Sequence, residues 1–402
     1  MATFFILIIY LAFISLGLPD SLLGSAWPVM RTELGASIGT AGAISMVIAG
    51  CTIVSSLASG AVIRRYGVGL VTLASCILTA GALLGFAWSP SLIWLIIFAI
   101  PLGLGAGSVD AGLNNYVALH YKAHHMSWLH CFWGVGATLS PMIMAFYISG
   151  EALWRQGYLT VAAVQGVLVL ILLFSLPLWD KVARRSGEKR PDDRREFEEQ
   201  ASESAESGPS KPWQIKGVKI SMITFLFYCG VEASVGLWGS SFLVGMKKLP
   251  ASTAAEWVSL FFVGITVGRM ITGFITFKMN NRSLIRYGQL TALFGTVLLA
   301  LPLPSGFSLA GFMIIGLGLA PIFPCLLHET PARFGNKHSQ SIMGYQMAAA
   351  YTGSTFVPPL LGALASYSTI GILPFFLVMF AAIMLLCTER LNRFLNKGLR
   401  AV

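Results

Sequence analysis

Three carboxylic acids interrupt the long apolar stretches of this sequence: Asp20, Asp110 and Glu232. An ionised side chain at the centre of a bilayer costs about 2.5 to 3.5 kcal/mol on insertion scales, so an acid placed there usually faces a cavity or a partner. A low dielectric also favours the neutral form of a carboxyl group. The sequence therefore predicts acids that handle protons or a polar solute; the alternative is acids that only hold helices together.

Polar residues accompany Asp110. It lies in GLGAGSVDAGLNNY, where Asn114 follows one helical turn later on the same face and Asn115 is its neighbour. A helical hairpin folded about residue 122 would bring His130 level with Asn114. This pattern predicts an Asp, Asn and His cluster, whereas the alternatives are interhelical hydrogen bonding for the amides and simple packing for the histidine.

Two tryptophans follow these polar residues. Trp133 comes three residues after His130, and Trp238 six after Glu232. Flat rings stack on the C–H faces of sugars while amides and carboxylates bind the hydroxyls, so the set suits a polyol; enrichment of Trp at membrane interfaces is the alternative. The predicted substrate contacts are Asn114, Asn115, His130, Trp133, Glu232, Trp238 and Gln346.

Composition excludes a cytosolic enzyme. Of 402 residues, 55% are hydrophobic and 11% charged, against about 25% charged in soluble domains. All six cysteines fall within apolar stretches, and the sequence contains no phosphate loop, nucleophile elbow or HExxH motif. We therefore expect no enzymatic activity, no cofactor and no metal site.

Twelve apolar stretches are long enough to cross a hydrocarbon core of about 30 Å. They predict an all-α integral membrane protein with twelve transmembrane helices. The stretches lie near 3–24, 38–60, 68–88, 92–119, 126–149, 157–179, 218–243, 253–275, 284–303, 307–329, 339–365 and 369–388.

The basic residues predict the orientation. Of the 27 Lys and Arg, 22 fall in the loops after even-numbered stretches and in the C-terminal tail, and only Arg31, Arg155, Lys247 and Lys248 lie on the other side. The positive-inside rule then places both termini in the cytoplasm, and we expect the protein in the cytoplasmic membrane. An anionic partner such as nucleic acid is the disfavoured alternative, and we expect a monomer in the lipid bilayer.

The chain divides into two similar halves. Residues 181–217 form a polar stretch with eight acids and many serines, which reads as a cytoplasmic linker between residues 1–180 and 218–402. Gly17 and Gly230 are 213 residues apart, and Pro141 and Pro358 are 217 apart. Matching residues in matching order predict two pseudo-symmetric six-helix bundles.

This organisation resembles the major facilitator superfamily over the whole length of the chain. The family's loop G-x-x-x-D-R-x-G appears as GAVIRRYG at residues 60–67, with Arg64 where the family usually has Asp. The resemblance implies a gating role for Arg65. A second gating residue is predicted at Arg269, in GRMITG near the inner end of the eighth stretch, where a latching salt bridge and snorkelling are the two interpretations.

Six segments resemble more closely the fucose, galactose and glucose symporters and the related sodium-dependent glucose transporter-like proteins. The resemblance implies that Asp20 and Asp110 couple a cation, H⁺ or Na⁺, to transport. Fucose symporters carry Glu at the place of Asp110, so a hexose such as glucose, galactose or mannose is expected instead. The segments are LPDSLLGSAWP, GLGAGSVDAGLNNY, LHCFWGVGA, FYCGVEASVGLW, APIFPCL and FVPPLLG.

The expected function is import of a monosaccharide by cation-coupled symport through alternating access. A proton-coupled exporter of amphipathic drugs or metabolites has the same fold and is the first alternative. A sugar-sensing membrane receptor that binds without net transport is the second. The amides and the histidine beside the acids favour the symporter, because an exporter of this kind is expected to have a larger and mostly apolar cavity.

Overall fold

Apolar stretches of this length satisfy their backbone hydrogen bonds as helices, since hydrocarbon offers them no other partner. The computed structural model of the chain describes residues 2–120, 123–149, 153–185, 215 and 217–399. Its helices are α1 (Ala2–Asp20), α2 (Leu22–Glu33), α3 (Thr40–Tyr66), α4 (Val68–Trp88), α5 (Leu92–His120), α6 (Ala123–Ile148), α7 (Trp154–Arg185), α8 (Val218–Lys247), α9 (Ala251–Ile275), α10 (Asn281–Ala300), α11 (Ser305–Leu319), α12 (Ile322–His328), α13 (Thr330–Phe334), α14 (Asn336–Tyr367), a 3-10 turn (Ile370–Ile372) and α15 (Leu373–Leu399).

The predicted fold class is confirmed. The described residues contain 11 candidate membrane spans by length and composition. Helix α14 has 32 residues, about 48 Å at 1.5 Å per residue, which is long enough for a twelfth span. The predicted bounds are close to the observed ones, and those of the third stretch, 68–88, coincide with α4 (Val68–Trp88).

Two predicted spans are each divided into two helices. The first breaks at Ser21, between α1 and α2, and its second part continues to Glu33; the tenth breaks at Ala320 and Pro321, between α11 and α12. A proline has no N–H to donate and its ring displaces the preceding turn, which explains a break close to Pro19 and one at Pro321. Hydropathy alone could not show these breaks, because the apolar residues run through them.

Neighbouring side chains satisfy the backbone groups that Pro19 releases. The carbonyl of Ser15, four residues before the proline, accepts a hydrogen bond from Gln165 Nε2 at 2.6 Å. The Ser15 hydroxyl donates in turn to Gln165 Oε1. Gln165 lies on α7 and is fully buried, so this pair fixes the kinked part of α1 against α7.

A second proline, Pro141, has the same consequence in α6. The carbonyl of Ala137, four residues earlier, accepts a hydrogen bond from the Ser21 hydroxyl at 2.8 Å. Ser140 donates back to the carbonyl of Leu18. The hydroxyl groups of Ser21 and Ser140 therefore each bond to a backbone carbonyl of the other span. These two bonds hold the first span and α6 in register.

The two halves repeat the same helix crossing. A Cβ atom on Gly17 or on Gly136 would lie 2.1 or 2.2 Å from a backbone oxygen across the contact between α1 and α6. In the second half, a Cβ on Gly353 would lie 2.1 Å from a backbone oxygen of α8, and one on Gly230 would lie 3.1 Å from a side chain of α14. The predicted repeat is thus visible as two equivalent close contacts.

The domain limits proposed from the sequence stay a prediction. Helix α7 continues to Arg185 and α8 begins at Val218, so the first helix bundle extends slightly past residue 180. Most of the predicted linker, residues 186–214 and 216, lies outside the described residues.

The halves touch closely near the turn of residues 34–39, on what we call the distal face, opposite the chain termini. A Cβ on Gly24 of α2 would lie 2.2 Å from the carbonyl oxygen of Gly236 on α8, and one on Gly42 of α3 would lie 2.8 Å from the Cα of Pro359 on α14. The Gly39 N–H donates to Ser366 Oγ at 3.1 Å. Close backbone contacts, together with the hydrogen bond to Ser366, therefore join the two halves at the distal face.

Gly24→Ala is expected to open the distal face, because the added methyl cannot fit against the backbone of α8. Overpacking of this kind costs about 1 to 3 kcal/mol and acts on the closed state alone. Spin labels on the exposed Ser37 and Ser368, in a background without native cysteines, would report a larger population at long distance.

The matched control is Gly81→Ala on α4, whose added methyl would meet nothing within 4 Å. Identical distance distributions for both alanine variants would contradict the assigned role of Gly24.

Candidate functional site: a carboxylate cluster between the two halves

Asp20 is the last residue of α1, where the first span breaks. Its side chain is exposed even though it lies well inside that span. The indole Nε1 of Trp133 donates to Asp20 Oδ2 at 2.8 Å. The Ser21 bond to α6 lies next to this contact, so the break in the first span sets the position of the carboxylate against Trp133.

The three acids singled out in the sequence converge on one region. Asp20 interacts electrostatically with both Asp110 and Glu232. Asp20 and Asp110 belong to α1 and α5 of the first half, whereas Glu232 belongs to α8 of the second. Asp20 therefore interacts both with an acid of its own half and with an acid of the other half.

Glu232 is paired with Arg269. The carboxylate and guanidinium lie 3.7 Å apart, and their side chains are only 17% and 11% exposed. The Tyr228 hydroxyl, one turn before Glu232 on α8, lies beside both charges. Of the two interpretations of Arg269, the described contacts show the salt bridge; a gating role for it stays a prediction.

Arg269 also lies over the ring of Trp133, with its guanidinium carbon 5.3 Å from the ring centroid. Since Trp133 is bonded to Asp20, a continuous series of contacts runs from Asp20 through Trp133 and Arg269 to Glu232. It crosses from α1 and α6 of the first half to α9 and α8 of the second.

Asp110 has its own polar neighbours. Asn114 Nδ2 donates to Asp110 Oδ1 at 2.8 Å and to the Asp110 carbonyl at 3.0 Å, as the one-turn spacing predicts. Tyr351 of α14 lies beside the carboxylate and also interacts with Ser56 of α3. Asp110 thus also lies at a contact between the two halves.

The predicted alignment of His130 with Asn114 is not what the described contacts show. The His130 ring meets Phe13 edge-on at 5.8 Å and interacts electrostatically with Arg269. The physical reason is that α6 packs mainly on α9 and α1 and only slightly on α5. A substrate contact at His130 stays a prediction. Such a contact would lie near Arg269 and not near the Asn114 amide.

Two other predicted substrate contacts lie in closed packing. Trp238 is fully buried, and its Nε1 donates to the carbonyl of Pro358 at 2.8 Å. Gln346 is fully buried as well, accepting from Thr330 at 2.9 Å and donating to Ser221 at 2.8 Å. Both side chains are thus engaged in packing between helices, and a substrate contact at either of them stays a prediction.

Two predicted residues remain, Asn115 and Arg65. The side chains of Asn115 and Arg64 lie outside the described residues. Arg65 is exposed, with its guanidinium over the ring of Tyr66 at 5.4 Å. The placement leaves its gating role a prediction.

Sequence reasoning missed two tyrosines of the site. Tyr228 could have been found, because it precedes Glu232 by one helical turn in FYCGVE. Tyr351 carried no such pattern, since its proximity to Asp110 depends on how α14 packs against the first half.

The cluster combines three acids with a single cation, an amide, a tryptophan and two tyrosines. Carboxylates beside an aromatic surface can hold a proton and bind the hydroxyls of a neutral solute. Within the described residues no group of three or more His, Cys, Asp or Glu could hold a metal ion.

Comparison with known proteins gives one family and several distant relatives. Residues 9–358 match the Major Facilitator Superfamily. The chain is 24% identical over 311 residues to bypass of stop codon protein 6 of Saccharomyces cerevisiae, covering 71% of this chain and 61% of that protein. It is 23% identical over 283 residues to the glucose/mannose transporter GlcP of Bacillus subtilis, covering 69% and 67%. The chain thus spans about three fifths of the length of the yeast relative.

Solved structures share the fold at low identity. The inward-open xylose transporter XylE from E. coli has a TM-score of 0.75 at 14% identity, covering 98% of this chain and 96% of that one. The nucleoside transporter NupG has a TM-score of 0.73 at 14% identity, covering 96% and 98%. At this low identity, the structural similarity shows a shared arrangement of helices and nothing about the substrate.

Glu232→Gln is expected to destabilise the protein by about 3 to 5 kcal/mol, because it leaves the largely buried Arg269 without its counter-charge. Thermal unfolding in detergent measures the loss. Adding Arg269→Gln to this variant is expected to restore part of it, since the double variant buries no unpaired charge.

The control is Glu256→Gln on α9, an exposed acid, which should leave the unfolding temperature unchanged. Additive losses in the double variant would argue against the pair.

Proposed function

Because the chain belongs to the Major Facilitator Superfamily, whose members are membrane transporters, we propose that it imports a monosaccharide together with a cation by alternating access. The cation of the proposal is H⁺, with Na⁺ as the alternative. The monosaccharide is a hexose such as glucose, mannose or galactose.

The observation that carries this proposal is the interaction of Asp20 with two other membrane acids, one in each half. Asp20 and Asp110 come from the first half and Glu232 from the second. A solute bound among them contacts both bundles, as the central site of an alternating-access carrier requires. Rocking of one bundle against the other would then expose the site to each side of the membrane in turn.

Three observations support a sugar as the solute. Trp133 is partly exposed and stands next to Asp20, so that a ring face and hydroxyl acceptors are adjacent. Asn114 adds an amide beside Asp110. The distant relative GlcP is a glucose/mannose transporter and XylE a xylose transporter, and the segments similar to hexose symporters include these same residues.

Asp20 and Asp110 are proposed to couple the cation. An ionised carboxylate between the halves opposes closure around the solute, because burying its charge is costly. Proton uptake removes that cost, so the carrier reorients with proton and sugar together. By linkage, proton and sugar then raise each other's affinity by the same factor.

The proposed setting is the cytoplasmic membrane, with a monomer whose termini face the cytoplasm. The distribution of Lys and Arg supports this orientation of the termini. In this orientation the closed distal face is the outer one, and the structure corresponds to a state closed toward the outside.

In proteoliposomes, an inward proton gradient is expected to concentrate radiolabelled glucose. Asp110→Asn should abolish that accumulation but leave glucose exchange measurable, because a permanently neutral side chain permits reorientation but carries no proton. Glu256→Gln, far from the cluster on an exposed helix face, is the matched control.

Accumulation that survives Asp110→Asn would refute the coupling assignment. Accumulation driven only by a sodium gradient would identify Na⁺ as the coupling ion. Efflux of an amphipathic dye that sugars do not inhibit would favour the exporter.

A further inference from the structure

We propose that Trp133 is a positioning residue that links the ionisation of Asp20 to the contact between the two halves. This inference rests on the proposed function and assigns Trp133 a task beyond contact with the sugar. It rests on two contacts of Trp133: the hydrogen bond of its indole N–H to Asp20, and the contact of its ring face with Arg269.

The N–H side of Trp133 points to Asp20. Its Nε1 donates to Asp20 Oδ2 at 2.8 Å. A hydrogen bond to an ionised carboxylate is roughly twice as strong as one to a neutral group. Proton uptake by Asp20 therefore weakens the bond that holds the indole.

The ring face of Trp133 is held from the opposite half. Arg269 on α9 lies 5.3 Å from its centroid, and Phe262, on the same helix, meets it edge-on at 6.4 Å with an interplanar angle of 72°. A cation over an indole ring is attracted by the ring quadrupole. One side chain thus contacts an acid of the first half and the cation of the second.

The backbone around Trp133 is closely packed on both sides. A Cβ on the adjacent Gly134 would lie 2.2 Å from the Thr266 side chain of α9. On the other side, the Ser21 hydroxyl bonds to the carbonyl of Ala137. Helix α6 is therefore in close contact with both α1 and α9 at this level.

The charged and titratable groups around Asp20 come from several helices. Asp110 of α5 and Glu232 of α8 interact with it. From α7 and α4, Gln165 and Cys76 contact Ser15 one turn earlier instead. The Asp20 carboxylate thus accepts a hydrogen bond from the Trp133 N–H, while the two acids near it carry the same charge as its ionised form.

The charged and titratable groups near Arg269 also come from both halves. Its carboxylate partner is Glu232, with Tyr228 beside the pair, and His130 and Cys131 of α6 also interact with it. Arg269 remains paired when Asp20 is neutral, whereas the indole loses its anionic acceptor. The contact that responds to protonation of Asp20 is therefore the one between Trp133 and Arg269.

The test is the pH dependence of glucose exchange in proteoliposomes with Trp133→Phe. Phenylalanine keeps a ring for Arg269 but has no N–H for Asp20. The midpoint of the pH profile is expected to move upward by about one pH unit, the equivalent of about tenfold in an equilibrium constant. In the background of Asp20→Asn, Trp133→Phe should leave the remaining pH profile unchanged.

Trp94→Phe is the matched control, since Trp94 is an exposed residue of α5 whose described ring contact is to Phe98 at 5.9 Å. It should leave the midpoint where it is. Trp133→Tyr, which also lacks the indole N–H, replaces the phenylalanine variant if that variant does not fold.

A midpoint that stays unchanged in an active Trp133→Phe protein overturns the inference and leaves the proposed function intact. Absence of glucose exchange in the wild type refutes the proposed function instead. The pH dependence of the unfolding temperature, measured without sugar, then decides the inference: a midpoint shifted upward by Trp133→Phe supports it, and identical profiles overturn it.

Discussion

The structure depends on the absence of water from the bilayer interior, where each polar group must find a partner within the protein. This constraint explains the helices, and it also explains their irregular points. Pro19 and Pro141 each release a carbonyl group, and Gln165 and Ser21 bond to them at 2.6 and 2.8 Å. Both kinks therefore have hydrogen-bond partners on a neighbouring helix, which fix how α1, α6 and α7 pack. Asp20 lies next to one of these kinks.

The same constraint acts on the charged groups. A lone carboxylate in hydrocarbon is costly, whereas carboxylates that share a region with a cation, an amide and aromatic rings are compensated in part. Arg269 pairs with Glu232 and covers Trp133, which is bonded to Asp20. Polar groups of both halves thus lie together where the halves meet. A change in the charge of one acid therefore alters the contact between the halves.

The internal repeat bears on how the two halves pack and contact each other. Equivalent glycine contacts join α1 to α6 and α8 to α14, so each half is a tightly packed body. At the distal face the two bodies approach through backbone atoms, whereas at the cluster charged and aromatic side chains join them beside the close contact of Gly134 with Thr266. A contact of the first kind is sensitive to volume, and one of the second kind to charge. The proposed alternating access would need both, one to seal a face of the protein and one to respond to a change of charge at the site.

Much of this protein could be predicted from its sequence, because hydropathy over about 20 residues and the cost of a charge in lipid are local properties. They identified the spans, the repeat and the acids Asp20, Asp110 and Glu232. The sequence could not show that Glu232 pairs with Arg269, that Tyr351 joins Asp110, or that His130 faces α1 and α9 and not Asn114. Nor could it place Trp238 and Gln346 in closed packing. These relations depend on which helix faces pack together, and that choice follows from close contacts and hydrogen bonds between residues far apart in the chain, which only the tertiary structure decides.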